Sequence, residues 1–314
     1  MKATLTSIAA SLLATLAMAQ PLQFTASSGG DPTVEPFHRQ AQIHGWGRRT
    51  SDDSTSAKRS HLAYIITGGL QFGTLDLQSG TFVPIGPGLP PDVGQGLVQG
   101  PGRSVLSLAF SGKLDTIDPI TGITRVVGAT GLGDCSTPTS PCGPHSANVI
   151  GSLDGNIYAT DFANNLYSVN PVTGTARLIG PTGMPPLTFA PLSTNADGTV
   201  NVYSESLFSV HGKLYANFAT ATLDFATGTV KPVIPGALYQ INPETGHARL
   251  IAPTDTNITA TVSVNDVIYG FDAVLGQVVT INLTNGLTTP VTDVDSAAGL
   301  VAGATPARPS STDH

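Results

Sequence analysis

Short runs in which apolar and polar residues alternate recur along this chain from His61 to Gly303, each bounded by Gly, Pro, Asn or Asp. Leu166-Tyr-Ser-Val169 and Leu238-Tyr-Gln-Ile241 are typical. A period of two predicts half-buried β-strands. Many of these runs open into one recurring phrase: Asp118-Pro-Ile-Thr-Gly122, Asn170-Pro-Val-Thr-Gly174 and Asn242-Pro-Glu-Thr-Gly246, with looser copies at Asp76-Leu-Gln-Ser-Gly80 and Asn282-Leu-Thr-Asn-Gly286. Asp or Asn opens a turn, Pro presets φ and Gly supplies the positive φ that closes it, so each phrase predicts a hairpin between two strands.

Aligning the copies gives four strands per repeat. The third is the clearest, with strands at 148–152, 156–160, 165–169 and 175–179. A repeat of this length built only of short strands is the pattern of a β-propeller blade. The closing glycines stand 42, 52, 72 and 40 residues apart, which leaves room for insertions in blades 3 and 4 but not for another blade. The first repeat begins at its second strand, His61 to Ile66, while Gly299-Leu-Val-Ala-Gly303 near the C-terminus echoes Gly96-Leu-Val-Gln-Gly100. The expected fold is therefore all-β: a five-bladed propeller of four antiparallel strands per blade over residues 60–306, its ring closed by the C-terminal strand, with a tail at 307–314. Closure of that kind removes open sheet edges.

The N-terminus changes the picture. Met1-Lys2, the apolar stretch Ile8 to Met18 and Ala17-Met-Ala19 read as a signal peptide over 1–19, so a secreted, extracellular protein is expected. Residues 20–59 lack strand periodicity and end in the dibasic pair Lys58-Arg59, which reads either as a propeptide processing site or as the end of a disordered arm. Cys135 and Cys142 are the only two cysteines, and export makes a disulfide across their short loop the expected state; no ligand set for a metal accompanies them. Asn257 and Asn282 head N-glycosylation sequons. Between 60 and 306 there are 7 Lys and Arg against 16 Asp and Glu, which argues against nucleic acid and acidic membranes as partners. No cofactor motif is present, and a monomer is expected.

In a propeller the b-to-c turns and d-to-a connections share one face, and the a-to-b and c-to-d turns share the other. The long connections predicted here, Ala129 to His145, Pro181 to Val202 and an insertion from Phe218 to Gly236, all fall on the first face, where long loops on a rigid scaffold usually bind. Its polar candidates as ligand contacts are Asp134, His145, Asp161, Asn164 and Asn165, with Phe162 as an apolar one. A glycoside hydrolase needs two carboxylates, one with a raised pKa. Of the three glutamates only Glu205, at the entrance to an inner strand, is placed for that role, with Asp161 or Asp272 as its partner.

The phrase Leu-Tyr-x-Val/Ile-Asn-Pro-x-Thr-Gly resembles the blade motif of secreted propeller repeat proteins in the broad quinoprotein-like and lactonase-like superfamily. The resemblance spans about residues 61 to 303 and implies fold, not activity, since that superfamily holds lectins, hydrolases, lactonases and interaction scaffolds. Secreted fungal proteins of secondary metabolism, hetero-Diels-Alderases among them, are similar in general character. Three function classes follow. The first is a recognition protein binding a glycan or other extracellular ligand on its loop face. The second is an enzyme acting on a small apolar substrate in a channel mouth shaped by Phe162, Phe189, Phe208 and Phe218, whether pericyclase or lactonase-like. The third is a glycoside hydrolase using Glu205 and Asp161.

Overall fold

The computed structural model describes residues 61–304, apart from 102–103, 135–142, 187–193, 225–226, 228, 256–257, 273–274 and 295–299. The expected signal peptide, the Lys58-Arg59 site, the Cys135–Cys142 disulfide, the Asn257 sequon and Phe189 lie outside the described residues. Five antiparallel sheets of four strands form the ring. Blade 2 holds β4 (Val93–Gln99), β5 (Val105–Ala109), β6 (Lys113–Ile117) and β7 (Thr124–Ala129); blade 3 holds β8 (Ala147–Leu153), β9 (Asn156–Asp161), β10 (Asn165–Val169) and β11 (Ala176–Pro181). Blade 4 holds β12 (Val200–Val210), β13 (Lys213–Asp224), β14 (Thr229–Ile241) and β15 (Ala248–Pro253); blade 5 holds β16 (Ile258–Val264), β17 (Val267–Asp272), β18 (Gln277–Ile281) and β19 (Thr288–Asp293). Blade 1 joins the two ends of the propeller: β1 (Leu62–Thr67), β2 (Phe72–Asp76) and β3 (Phe82–Pro84) are completed by β20 (Leu300–Ala304), which pairs antiparallel with β1. The closure expected from the echo of Gly96–Gly100 is present.

The recurring phrase does what its residues dictate. The Oδ1 of Asp118 accepts the N–H groups of Ile120 and Thr121 at 2.8 and 3.0 Å, and that of Asn242 accepts those of Glu244 and Thr245 at 2.8 and 3.2 Å. The closing glycine then returns its own N–H to the carbonyl of the opening residue at 2.8 Å, as Gly122 does to Asp118 and Gly246 to Asn242. Glycine is required twice over at Gly246. Its φ is +83°, and a Cβ there would stand 2.7 Å from the Gly180 carbonyl oxygen on the outer strand of the neighbouring blade. Each hairpin thus closes its own blade and seats it against the one before.

Within the sheets, alternate residues face the two neighbouring blades, so inner strands are buried on both sides; all five residues of β5 are buried. The result is five separate cores, one between each pair of blades. Val149, Leu207, Leu214 and Ile241 fill the boundary between blades 3 and 4, and Phe208, Ile258, Ile268 and Val279 the next. Each such side chain contributes about 1.5–3 kcal/mol on leaving water. Phe162, Phe208 and Phe218 are themselves buried, so these three pack the interior rather than line a mouth.

The insertion expected as a loop from Phe218 to Gly236 is instead strand. β13 and β14 continue past the ring as a ribbon paired from Thr220↔Ile234 to Asp224↔Thr229, with register shifts around Thr220. β12 also starts earlier than expected, pairing with β13 from Val200 onward. Pro235 falls in the register shift between Phe218 and Thr220, and Pro232 borders the one between Thr220 and Ala221, places where the ladder is interrupted and proline is tolerated.

Candidate functional site

The site is built where β9 ends. Asp161, fully buried, closes that strand, and its Oδ1 accepts the N–H groups of Ala163 at 3.0 Å and Asn165 at 2.8 Å, which caps the turn into β10. Its Oδ2 faces outward and gathers three side chains. His145 Nδ1 lies at 3.0 Å, Asn165 Nδ2 at 2.9 Å and the Tyr167 hydroxyl at 2.9 Å. Because the carboxylate oxygen accepts, the proton on His145 sits on Nδ1, and Nε2 is directed away from the pair. The His145 side chain is 73% exposed. Tyr167 is pushed up to about 12, first by burial and then by the hydrogen bond and charge of Asp161, so it is a neutral donor at physiological pH.

Behind this group, Glu205 on the inner strand β12 points toward blade 3. It is buried and accepts Asn148 Nδ2 at 2.5 Å and Thr160 Oγ1 at 2.8 Å. Burial pushes its carboxyl up to about 7; those two donors pull it down and the nearby Asp161 charge adds to the rise. Tyr203, two residues earlier on the same strand, meets Phe162 edge-on at 5.3 Å and is raised by burial and by the Glu205 charge. Asp161 and Glu205 are thus electrostatic neighbours, but every oxygen of Asp161 is already engaged in the turn and its ring of side chains.

The other expected site residues divide. Asn165 belongs to the Asp161 group. Asn164, buried at φ +59°, holds the d-to-a connection by donating its Nδ2 to the Pro185 carbonyl at 2.6 Å. Its Oδ1 is buried with no partner among the described residues. Phe162 packs inside, and Asp134 is exposed on the loop before 135. Asp272 lies at the end of β17, buried, accepting the Leu275 N–H at 2.9 Å; it caps a turn of blade 5. Asn282 is exposed and opens the blade 5 hairpin through its Oδ1, which accepts the Thr284 N–H at 2.8 Å. Among the described residues no group of three or more His, Cys, Asp or Glu side chains is placed to hold a metal ion, and no helix is long and apolar enough to cross a membrane.

Sequence reasoning missed Tyr167, because it stands inside the recurring Leu-Tyr-x-Val phrase and reads as part of the fold. It missed the pairing of Asn148 and Thr160 with Glu205, because these partners lie 57 and 45 residues away. It also directed attention to one face only. A cleft of about 680 Å³ opens on the other, at the rim of blade 4, between the turn at Gly212 and the hairpin at Asn242 to Glu244.

No family model matches the chain, and no curated protein matches it. Solved structures similar to it include a chain of a nidogen/laminin complex, at 14% identity over 78% of this chain and 97% of that one, with a TM-score of 0.44. The aldose sugar dehydrogenase of Streptomyces coelicolor in its PQQ-bound form is similar at 13% identity over 64% and 62%, TM-score 0.39. A catalytically inactive virginiamycin B lyase of Staphylococcus aureus with quinupristin is similar at 11% over 79% and 76%, TM-score 0.33. These proteins differ in activity, and at such scores the likeness carries no argument about this chain's chemistry.

Proposed function

We propose that this is a secreted recognition protein that binds a hydroxyl-bearing ligand, a glycan foremost, on the b-to-c face of blade 3. One observation carries the reading: a single buried carboxylate, Asp161, fixes an imidazole, an amide and a phenol around itself and leaves the imidazole largely in solvent. Holding polar groups in place before a ligand arrives lowers the entropy lost on binding. An imidazole, an amide and a phenol together offer both donors and acceptors, as sugar hydroxyls require, and the half-buried rings of Tyr167 and Tyr203 supply apolar surface beside them.

The arrangement favours binding over a carboxylate-dependent hydrolysis. Glu205 has the raised carboxyl that a general acid needs, but the second carboxylate, Asp161, is fully buried and committed to five hydrogen bonds. A glycan array screened with the full chain tests the reading. Binding is expected to fall about tenfold or more in His145→Ala and in Asn165→Ala, with thermal unfolding of His145→Ala unchanged. Full binding by both variants would remove this face from consideration.

A further inference from the structure

The rim opposite this site gathers basic side chains most densely in blade 4. In blades 3, 4 and 5 the a-to-b turn is built alike: Asp154-Gly155, His211-Gly212 and Asn265-Asp266 all have positive φ at both central residues, the type I′ geometry that a right-twisted hairpin prefers. Residues at matching positions can therefore be compared directly. Where blade 3 has Asp154, Asn156 and Thr175, and blade 5 has Asn265, Val267 and Leu287, blade 4 has His211, Lys213 and His247. Arg249, which has a counterpart in Arg177, completes the group.

These residues meet a cavity. Lys213, His247 and Arg249 line the cleft of about 680 Å³ together with Gln240, Asn242 and one acid, Glu244. Among the described residues neither Lys213 nor Arg249 has an ion-pair partner. The Arg249 guanidinium gives one bond, from Nη2 to Gln240 Oε1 at 3.1 Å, which steadies it while leaving other donors to spend. In a chain whose net charge is −7, two unpaired cations on one concave surface are a local reversal of sign.

We propose that this cleft binds a small hydroxylated molecule carrying a single carboxylate or phosphate group. The anionic group lies between Lys213 and Arg249, where charge-assisted bonds are strongest. The hydroxyl-bearing remainder lies against Asn242 and Glu244, whose carboxylate accepts hydroxyl protons and repels a second negative group. This site is on the opposite rim from the His145 surface and does not depend on the reading given for it.

The test is titration of the full chain with glucuronate, with a glucose phosphate and with neutral glucose, read by calorimetry and by amide chemical shifts. The expected result is saturable binding of one or both anionic probes, no binding of glucose, and shifts confined to the amides around Gly212, Gln240 and Glu244. Lys213→Gln and Arg249→Gln should each weaken it about tenfold or more, and added salt should weaken it further. Whichever anionic probe saturates identifies the group that the cleft takes. Absence of saturation by both probes, affinity unchanged in the two variants, or shifts spread equally over Lys113 and Lys231 would overturn the proposal.

Discussion

Blades 3 and 5 end their second strands on the same residue, and around the first of the two, Asp161, three side chains gather on one oxygen. Asp161 and Asp272 occupy equivalent register positions, pairing with the first residues of β8 and β16, and both are buried and cap the turn that follows. In blade 1 the same position is Thr67, whose hydroxyl accepts the Gln71 N–H at 3.1 Å. Capping of this turn recurs in blades 1, 3 and 5 and by itself carries no functional message. The difference lies in what surrounds the second oxygen. Blade 3 supplies His145, Asn165 and Tyr167, whereas blade 5 has Val279 in the place of Tyr167, and Gln277, in the place of Asn165, donates its amide to Asp293 at 2.8 Å. A function in a repeat protein is best sought where one copy adds partners to a residue that the other copies keep for folding.

The comparison breaks most directly by removing both carboxylates in turn. Asp161→Ala strips two turn N–H groups and three side chains of a shared acceptor, and leaving such donors unpaired costs about 3–5 kcal/mol. Asp272→Ala removes the cap of the equivalent turn in blade 5 and is the reference for that cap. Equilibrium unfolding in urea measures both. Equal losses would mean that the ring around Asp161 adds nothing beyond the cap.

The next largest effect distinguishes the inner strands of blades 4 and 5. Glu205 on β12 stands at the level of Thr259 on β16, so blade 4 has an ionisable group where blade 5 has a hydroxyl. A carboxyl raised to about 7 in the folded state, against 4.5 as its ordinary value, holds its proton more tightly folded than unfolded. The contribution of this group to stability is fully present below about pH 4.5 and is lost as pH rises through 7, by about 3 kcal/mol across that window. Glu205→Gln should flatten this part of the stability profile. A wild-type profile already flat between those limits would show that Glu205 is not held protonated by its surroundings.

The two levels of organisation were not equally legible in the sequence. The hairpins were, because Asp or Asn, Pro and Gly act within five residues and the same local physics recurs in every copy. The ring closure was too, because β20 repeats the wording of β4. The blade 4 ribbon was not: Pro232 and Pro235 read as strand breakers, and it is the register shifts on either side of Thr220 that accommodate them. For the site, Asp161, His145 and Asn165 stood out as polar residues in a long-loop region, but their convergence on one oxygen is a tertiary fact. Tyr167 was hidden by its own regularity. Lys213 and His247 were hidden by lying in short turns, the part of a blade that a search for long loops passes over.

The smallest expected effect sharpens the comparison most. The His145 side chain is largely in solvent although Asp161 is buried, and a bond whose imidazole stays that hydrated contributes about 0–1 kcal/mol. His145→Ala leaves Asp161 with its two backbone donors, Asn165 and Tyr167, so unfolding in urea should shift by no more than about 0.5 kcal/mol. Such a result separates the ring into parts: Asn165 and Tyr167, half-buried, serve both structure and surface, while His145 serves the surface alone. A loss above about 1.5 kcal/mol, the range of a buried charge-assisted bond, would make His145 part of the scaffold. The carboxylate of blade 3 would then differ from that of blade 5 in how firmly it holds its turn, and the case for a ligand at this face would rest on Asn165 and the two tyrosines.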